Sequence, residues 1–200
     1  AIVRDITERK LAQLKLQHNQ DLLKEAQRLG QLGCWELNLT SGELYWTDEV
    51  YRIFELDPAR FSPSYENFLN VIHPDDRDKV NQAYTESLEN RRPYDVVHRL
   101  LFAEGRIKWV RERCNSEFDT SGKPLRSVGA VQDITKQKLM EDAIAKEGKK
   151  FRILFESISD AIIICDMEGH IIQVNHSACE RLGYSQEELL QMSPADIDTP

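Results

Sequence analysis

The chain lacks the surplus of basic residues that phosphate backbones and anionic lipid select. Lys and Arg number 26 against 34 Asp and Glu, a formal charge of −8. Nucleic acid is therefore not an expected partner. Long apolar runs are also missing. The longest, such as Ala161-Ile162-Ile163-Ile164-Cys165, is far too short to cross a bilayer, and no signal peptide opens the chain. No direct membrane contact is expected of this stretch, and a cytoplasmic setting is. Cysteine is sparse. Cys34, Cys114, Cys165 and Cys179 lie far apart with no Cys-x-x-Cys pair, so reduced, mostly buried thiols are expected rather than a disulfide or zinc site. What the chain does have is apolar content, 40% of 200 residues, enough for one well-buried domain and part of another.

A short phrase occurs twice. Ala1-Ile2-Val3-Arg4-Asp5-Ile6-Thr7-Glu8-Arg9-Lys10-Leu11 returns as Gly129-Ala130-Val131-Gln132-Asp133-Ile134-Thr135-Lys136-Gln137-Lys138-Leu139. Each copy passes from small and β-branched residues through Asp-Ile-Thr into a charged stretch, the pattern of a strand ending where a helix begins. The phrase divides the chain as a tandem array. Residues 1–7 are expected to end a preceding strand and 8–29 to form a linker helix. Residues 30–135 read as a complete domain, 136–157 as a second linker helix, and 158–200 as the first half of another domain.

Thr7 is expected to N-cap the first helix, along which Leu11, Leu14, His18, Leu22, Ala26 and Leu29 recur at spacings of three and four. So narrow a stripe suits a partner helix or coiled coil, although packing on its own domain stays open. Thr135 opens the second helix, which Gly148 weakens near its middle. Between the helices the period falls to two. Trp35, Leu37 and Leu39 alternate with polar residues, and Ser41-Gly42 turns the chain into Leu44-Tyr45-Trp46. Short helices follow, then His73-Pro74-Asp75-Asp76 opens a longer one, with proline in its first turn and acids at its positive end. Three long strands complete the set: 94–102, 106–118 and 125–133. The fold class is α+β, a five-stranded antiparallel sheet with short helices on one face and helices at each end. In residues 158–200 a hairpin and a helix recur without the three-strand meander, so this half-domain is expected to be loosely held unless something covers its open edge.

Several residues stand in a specific order: Trp35 and Trp46 in the first hairpin, then His73-Pro74-Asp75-Asp76-Arg77, Arg99, Glu104-Gly105 and Trp109, then Gly129 with Asp133-Ile134-Thr135. That order resembles the tryptophan-containing subgroup of PAS domains, the sensor modules of bacterial signalling proteins. Asn175, Ala178, Leu182-Gly183-Tyr184 and Glu188-Leu189 resemble the opening of a second PAS domain, so the resemblance covers essentially the whole chain. It implies a sensory module that passes a conformational bias along flanking helices, as a parallel homodimer, to adjacent PAS and output domains of one bacterial protein. The outputs implied are histidine kinases or the GGDEF/EAL enzymes of cyclic-di-GMP signalling. No GGDEF or EAL string is present, and no kinase phosphoacceptor box surrounds His18, His73, His98, His170 or His176. No catalytic residue is therefore assigned in this stretch. The alternative implied is a ligand-free dimerisation or interaction module.

A sensor needs a cavity or a docking surface. The strand positions expected to face the helices are Trp35, Leu37, Tyr94, Val96, His98, Trp109 and Val131, and the helices add Tyr51, Phe54, Phe68 and Ile72. The same residues also describe a filled core. Light-sensing relatives that form a cysteinyl–flavin adduct carry a cysteine on the facing helix and a glutamine in the last strand. Here residues 64–90 hold no cysteine, and Val131 stands where the glutamine would be. Haem is not expected either, because Pro74 makes His73 a helix entrance. A non-covalent flavin or another small molecule remains open. Helix capping accounts for His73, Asp75 and Asp76, so no metal site is assigned. Asp133, Ile134 and Thr135, where sheet meets helix, are the expected point of signal transfer.

Overall fold

The computed structural model describes residues 2–197, with side chains from residue 10 onward. Helix α1 spans Ile2–Leu29. Residues 2–7 are thus helical, not the end of a strand, and Thr7 lies inside the helix instead of capping it; its side chain falls outside the described ones. A strand needs a neighbour to take its backbone bonds, and among the described residues these pair with none. The Glu, Lys, Leu and Ala that follow are strong helix formers, so the helix extends back through them.

The first sheet is built from β1 (Leu32–Asn38), β2 (Leu44–Trp46), β3 (Tyr94–Leu101), β4 (Ile107–Phe118) and β5 (Pro124–Asp133), in the order β2-β1-β5-β4-β3 with antiparallel neighbours throughout. The last strand of the meander enters the centre beside the first. One inward-facing row runs Trp46, Trp35, Gly129, Cys114 and Tyr94, and the next runs Gly33, Val131, Glu112 and Val96. Gly129 has a steric reason. A Cβ there would lie 2.5 Å from Trp35 Cζ2 and 2.6 Å from the Arg113 carbonyl oxygen, so the indole needs the bare backbone to lie across β5.

Helices α2 (Asp48–Phe54), α3 (Tyr65–Val71) and α4 (Pro74–Glu89) supply the other side of the core. Ser64 caps α3 through Asn67 N–H, and the His73 ring accepts from Asp75 N–H at the start of α4, where Pro74 needs no donor partner. Val50, Ile53, Phe54, Phe68, Val80 and Tyr84 are buried against the sheet. Helix α5 (Thr135–Ser157) then leaves β5 and runs unbroken through Gly148.

The chain divides near residue 138 into two units. In the second, β6 (Ile163–Cys165) and β7 (Ile171–Val174) pair, and α6 (His176–Leu182), α7 (Gln186–Leu189) and α8 (Pro194–Ile197) follow. Its small core is Ile171, Val174, Ala178 and Leu189. Asn175 ties it together: fully buried, it donates to the carbonyls of Phe155, Ile158 and Asp160 and accepts from the N–H groups of Ile162 and Ala178. One side chain thus takes up five backbone groups.

Candidate functional site

The inner face of the first sheet and the helices enclose a cavity of about 30 Å³, room for a water-sized group or slightly more. Strands β1 and β2 contribute Trp35, Leu37, Leu44 and Trp46, and α3 and α4 contribute Tyr65, Phe68, Val80 and Tyr84. Tyr94 and Glu112 close it from β3 and β4. Of the expected pocket residues, Trp35, Leu37, Phe68 and Tyr94 line this space. Phe54, Ile72, Val96, His98 and Val131 are buried in the packing around it, and Tyr51 stands half-buried, edge-on to Trp46. Trp109 is elsewhere. In β4 the buried positions are Val110, Glu112 and Cys114, so alternation turns Trp109 to the outer face, where the Arg99 guanidinium lies 5.8 Å from its ring.

Glu112 is the one charged residue of the lining, 3% exposed. Its Oε2 stands 3.5 Å from the Tyr94 hydroxyl and 3.6 Å from His98 Nε2. The His98 ring is fully buried and meets Phe68 edge-on, and neither of its nitrogens has a hydrogen-bond partner among the described residues; the same holds for Trp35 Nε1. Tyr84 by contrast is satisfied, its hydroxyl 2.8 Å from Ser127 Oγ, which in turn meets Ser116 Oγ at 2.7 Å. Burial pushes the Tyr84 phenol up to about 12, and burial reinforced by nearby carboxylate and phenol groups raises Tyr94 and Tyr65. All three remain neutral at any physiological pH. Cys114 is likewise pushed up to about 12 by burial and is an inert thiol. The other three cysteines are only half-buried. Glu112 escaped the sequence reading because a lone carboxylate in an alternating strand reads as outward. Its parity with Val110 and Cys114 was the available signal.

The junction at the end of β5 is a second site. Asp133 Oδ1 accepts from Thr135 N–H at 2.9 Å and from the Thr135 hydroxyl at 2.5 Å. Asp133 therefore takes up the free N–H of Thr135, the first helical residue of α5, and Ile134, whose carbonyl accepts from Lys138 N–H, holds the cap position expected of Thr135. The Thr135 hydroxyl also accepts from Trp109 N–H at 3.0 Å, and Ile134 N–H donates to the Trp109 carbonyl at 2.9 Å, with the Ile134 side chain buried. Lys108, next door in β4, reaches Glu55 Oε1 at 2.9 Å, the Ile53 carbonyl at 3.0 Å and Asp133 Oδ2 at 3.8 Å. Arg106 and Lys108 hold the Glu55 carboxyl down at about 2. Asp133 N–H donates to the Gln31 carbonyl, two residues beyond the end of α1. One small region thus joins both long helices, the end of α2 and two central strands. Lys108 and Glu55 carry no local sequence signal.

Asp76 does more than complement the α4 N-terminus. Its carboxylate receives Arg99 twice from the guanidinium, at 2.6 and 2.9 Å, and once from the backbone N–H at 2.8 Å, clamping α4 to β3. These bonds hold the Asp76 carboxyl at about 2. In the second unit Asp166, Glu168 and His170 converge at the exposed β6–β7 turn. Asp166 is already engaged there by the N–H groups of Glu168 and His170.

Known proteins agree with this architecture. A family model described as the PAS fold matches residues 43–131, and one described as the PAS domain matches residues 149–199, together well over half of the chain. The chain belongs to the PAS family. A sensory box histidine kinase/response regulator from Burkholderia thailandensis E264 superposes with a TM-score of 0.55 at 28% identity, over 65% of this chain and 97% of that one. Sensor protein FixL of Bradyrhizobium diazoefficiens is 31% identical over 160 residues, 80% of this chain. The probable diguanylate cyclase DgcE of Escherichia coli K12 is 26% identical over 190 residues, 95% of this chain. The chain spans only 31% of the former and 17% of the latter. It is a PAS sensory signalling module. Among the described residues no helix is long and apolar enough to cross a membrane.

Proposed function

We propose that this module turns a change inside the first sheet into a movement of α5, and relays it to an output domain of a bacterial, cytoplasmic receptor. The junction carries the reading. Asp133, Ile134 and Thr135 bond to β4 at Trp109, to the end of α1 through Gln31, and by way of Lys108 to the end of α2. A shift of β4 or β5 cannot leave the first turn of α5 in place without breaking several of those bonds. The output is a histidine kinase or a cyclic-di-GMP enzyme, classes supported by the names of the Burkholderia sensory box histidine kinase/response regulator and of the probable diguanylate cyclase DgcE. Dimerisation through the helices is supported by Leu11, Leu14, Leu22 and Leu29, each more than half exposed on α1, and by Leu139, Ile144, Phe151 and Leu154 on α5. His18 is exposed on α1. Residues 30–135 as a complete PAS domain and 158–200 as the opening of another belong to the same proposal.

The test is Asp133→Ala in the intact receptor. The expected result is a folded protein whose output no longer responds to the stimulus. A full response in that variant would overturn the relay. The second reading, an interaction module without a ligand, is favoured by one observation: a cavity of about 30 Å³ is far below the roughly 300–1,000 Å³ of drug-sized sites.

A further inference from the structure

The cavity combines two features that are seldom found together. Its lining is almost wholly apolar and aromatic, with rings from Trp35, Trp46, Tyr65, Phe68 and Tyr94, and its one charged group is the Glu112 carboxylate. A buried carboxylate is costly unless it is paired and hydrogen-bonded. Glu112 is 3% exposed, and what the chain offers it is the Tyr94 hydroxyl at 3.5 Å and His98 Nε2 at 3.6 Å, the latter beyond hydrogen-bond reach. No Lys or Arg lines the cavity. Two arginines of β3 and β4 are engaged by other carboxylates, Arg99 by Asp76 and Arg111 by Asp95. The phenols around the site stay neutral, so they add ring faces and hydroxyl dipoles without adding charge.

A carboxylate set among aromatic faces matches one class of molecule. An organic ammonium ion supplies the missing counter-charge and N–H donors on one side, and its alkyl groups meet the rings on the other. A neutral molecule of the same size would leave Glu112 as it is. An anion would be repelled.

We propose that the first PAS domain binds a small alkylammonium ion in this cavity, with Glu112 as its counter-charge and the surrounding rings as its cage. The assignment rests on the sensory reading and names the chemistry of the stimulus. The space fits the smallest amines directly, and larger ones require the Trp35 and Trp46 rings to turn, which would move β1 and the edge strand β2.

The chain has three tryptophans, of which Trp35 and Trp46 line the cavity and Trp109 lies on the outer face. Their indole N–H signals in proton–nitrogen correlation spectra therefore provide two reporters and a control. The purified chain is titrated with methylammonium and trimethylammonium chloride at constant ionic strength, and in parallel with methanol and tert-butanol. The expected result is a saturable shift of the Trp35 and Trp46 signals with the cations, none with the alcohols, and a still Trp109. Glu112→Gln, which keeps shape and removes charge, is expected to weaken the cations at least tenfold. Alcohols that bind as well as the cations, or equal cation binding in Glu112→Gln, would overturn the assignment while leaving a sensor of neutral ligands. Silence from both cations in the folded wild-type chain would overturn it too. None of these results touches the relay, which Asp133→Ala tests separately.

Discussion

Around the cavity, polar groups go unmet. The Trp35 indole and both His98 nitrogens have no partner among the described residues, and Glu112 is approached only at 3.5 and 3.6 Å. At the junction on the same sheet, Asp133 accepts at 2.5 and 2.9 Å, Thr135 bonds on both sides, and Lys108 serves three oxygens within 3.8 Å. Burying a polar group without a partner costs about 1–3 kcal/mol, and a buried network that is fully bonded rigidifies what it connects. The contrast assigns work to each region. A wall with unspent bonding capacity has something to gain from a ligand, and a junction with none left over transmits displacement instead of absorbing it.

The largest expected effect attacks the cavity wall through its backbone. Gly129→Val puts a side chain where Trp35 Cζ2 and the Arg113 carbonyl already stand 2.5 and 2.6 Å from the would-be Cβ. The indole and the β4–β5 pairing cannot both persist. We expect a loss of about 3 kcal/mol or more, read by urea unfolding. Next comes Asp76→Asn, which removes a charged acceptor of three bonds from Arg99 and should cost about 2 kcal/mol. Its pH dependence fixes the cause. The folded Asp76 carboxyl sits at about 2, below its unfolded value, so its contribution is full above pH ~4 and is lost as pH falls toward 2. The difference between wild type and Asp76→Asn should shrink over that interval, and a constant difference would assign the loss to packing. Smaller still, Asp133→Ala forfeits the acceptor of the Thr135 N–H at the start of α5 and should cost about 1 kcal/mol, although it is expected to remove the response altogether.

How far these regions could be read from the sequence follows from the range of their signals. Strands, turns and the α4 entrance declare themselves within a few residues, through period-two alternation and His73-Pro74-Asp75-Asp76. The repeated Asp-Ile-Thr phrase misled at its first copy, because a strand is made by its neighbour and residues 2–7 have none among the described residues, while the second copy pairs with β1 and β4. Trp109 looked inward because it is large and aromatic; the parity of Val110 and Cys114 decides otherwise. Asp133 near the positive end of the helix was visible, while Thr135, expected as its cap, is its first helical residue. Their ties to Gln31, Glu55 and Lys108 cross between 25 and 102 residues of sequence, and no local pattern records them.

The smallest expected change in stability is the most informative about the cavity. If Glu112 is held for a ligand and not for the fold, its replacement should cost the fold nothing. Glu112→Met keeps the volume close, removes a buried carboxyl, and breaks only the 3.5 Å contact with Tyr94 and the 3.6 Å approach of His98. Exchanging a poorly paired buried charge for a well-packed apolar group is often neutral or stabilising. The unfolding free energy of Glu112→Met should therefore equal that of wild type or exceed it by about 1 kcal/mol. A loss of about 3 kcal/mol would instead make Glu112 a structural partner of His98. The cavity and the junction would then no longer differ in kind, since both would consist of bonds the fold depends on.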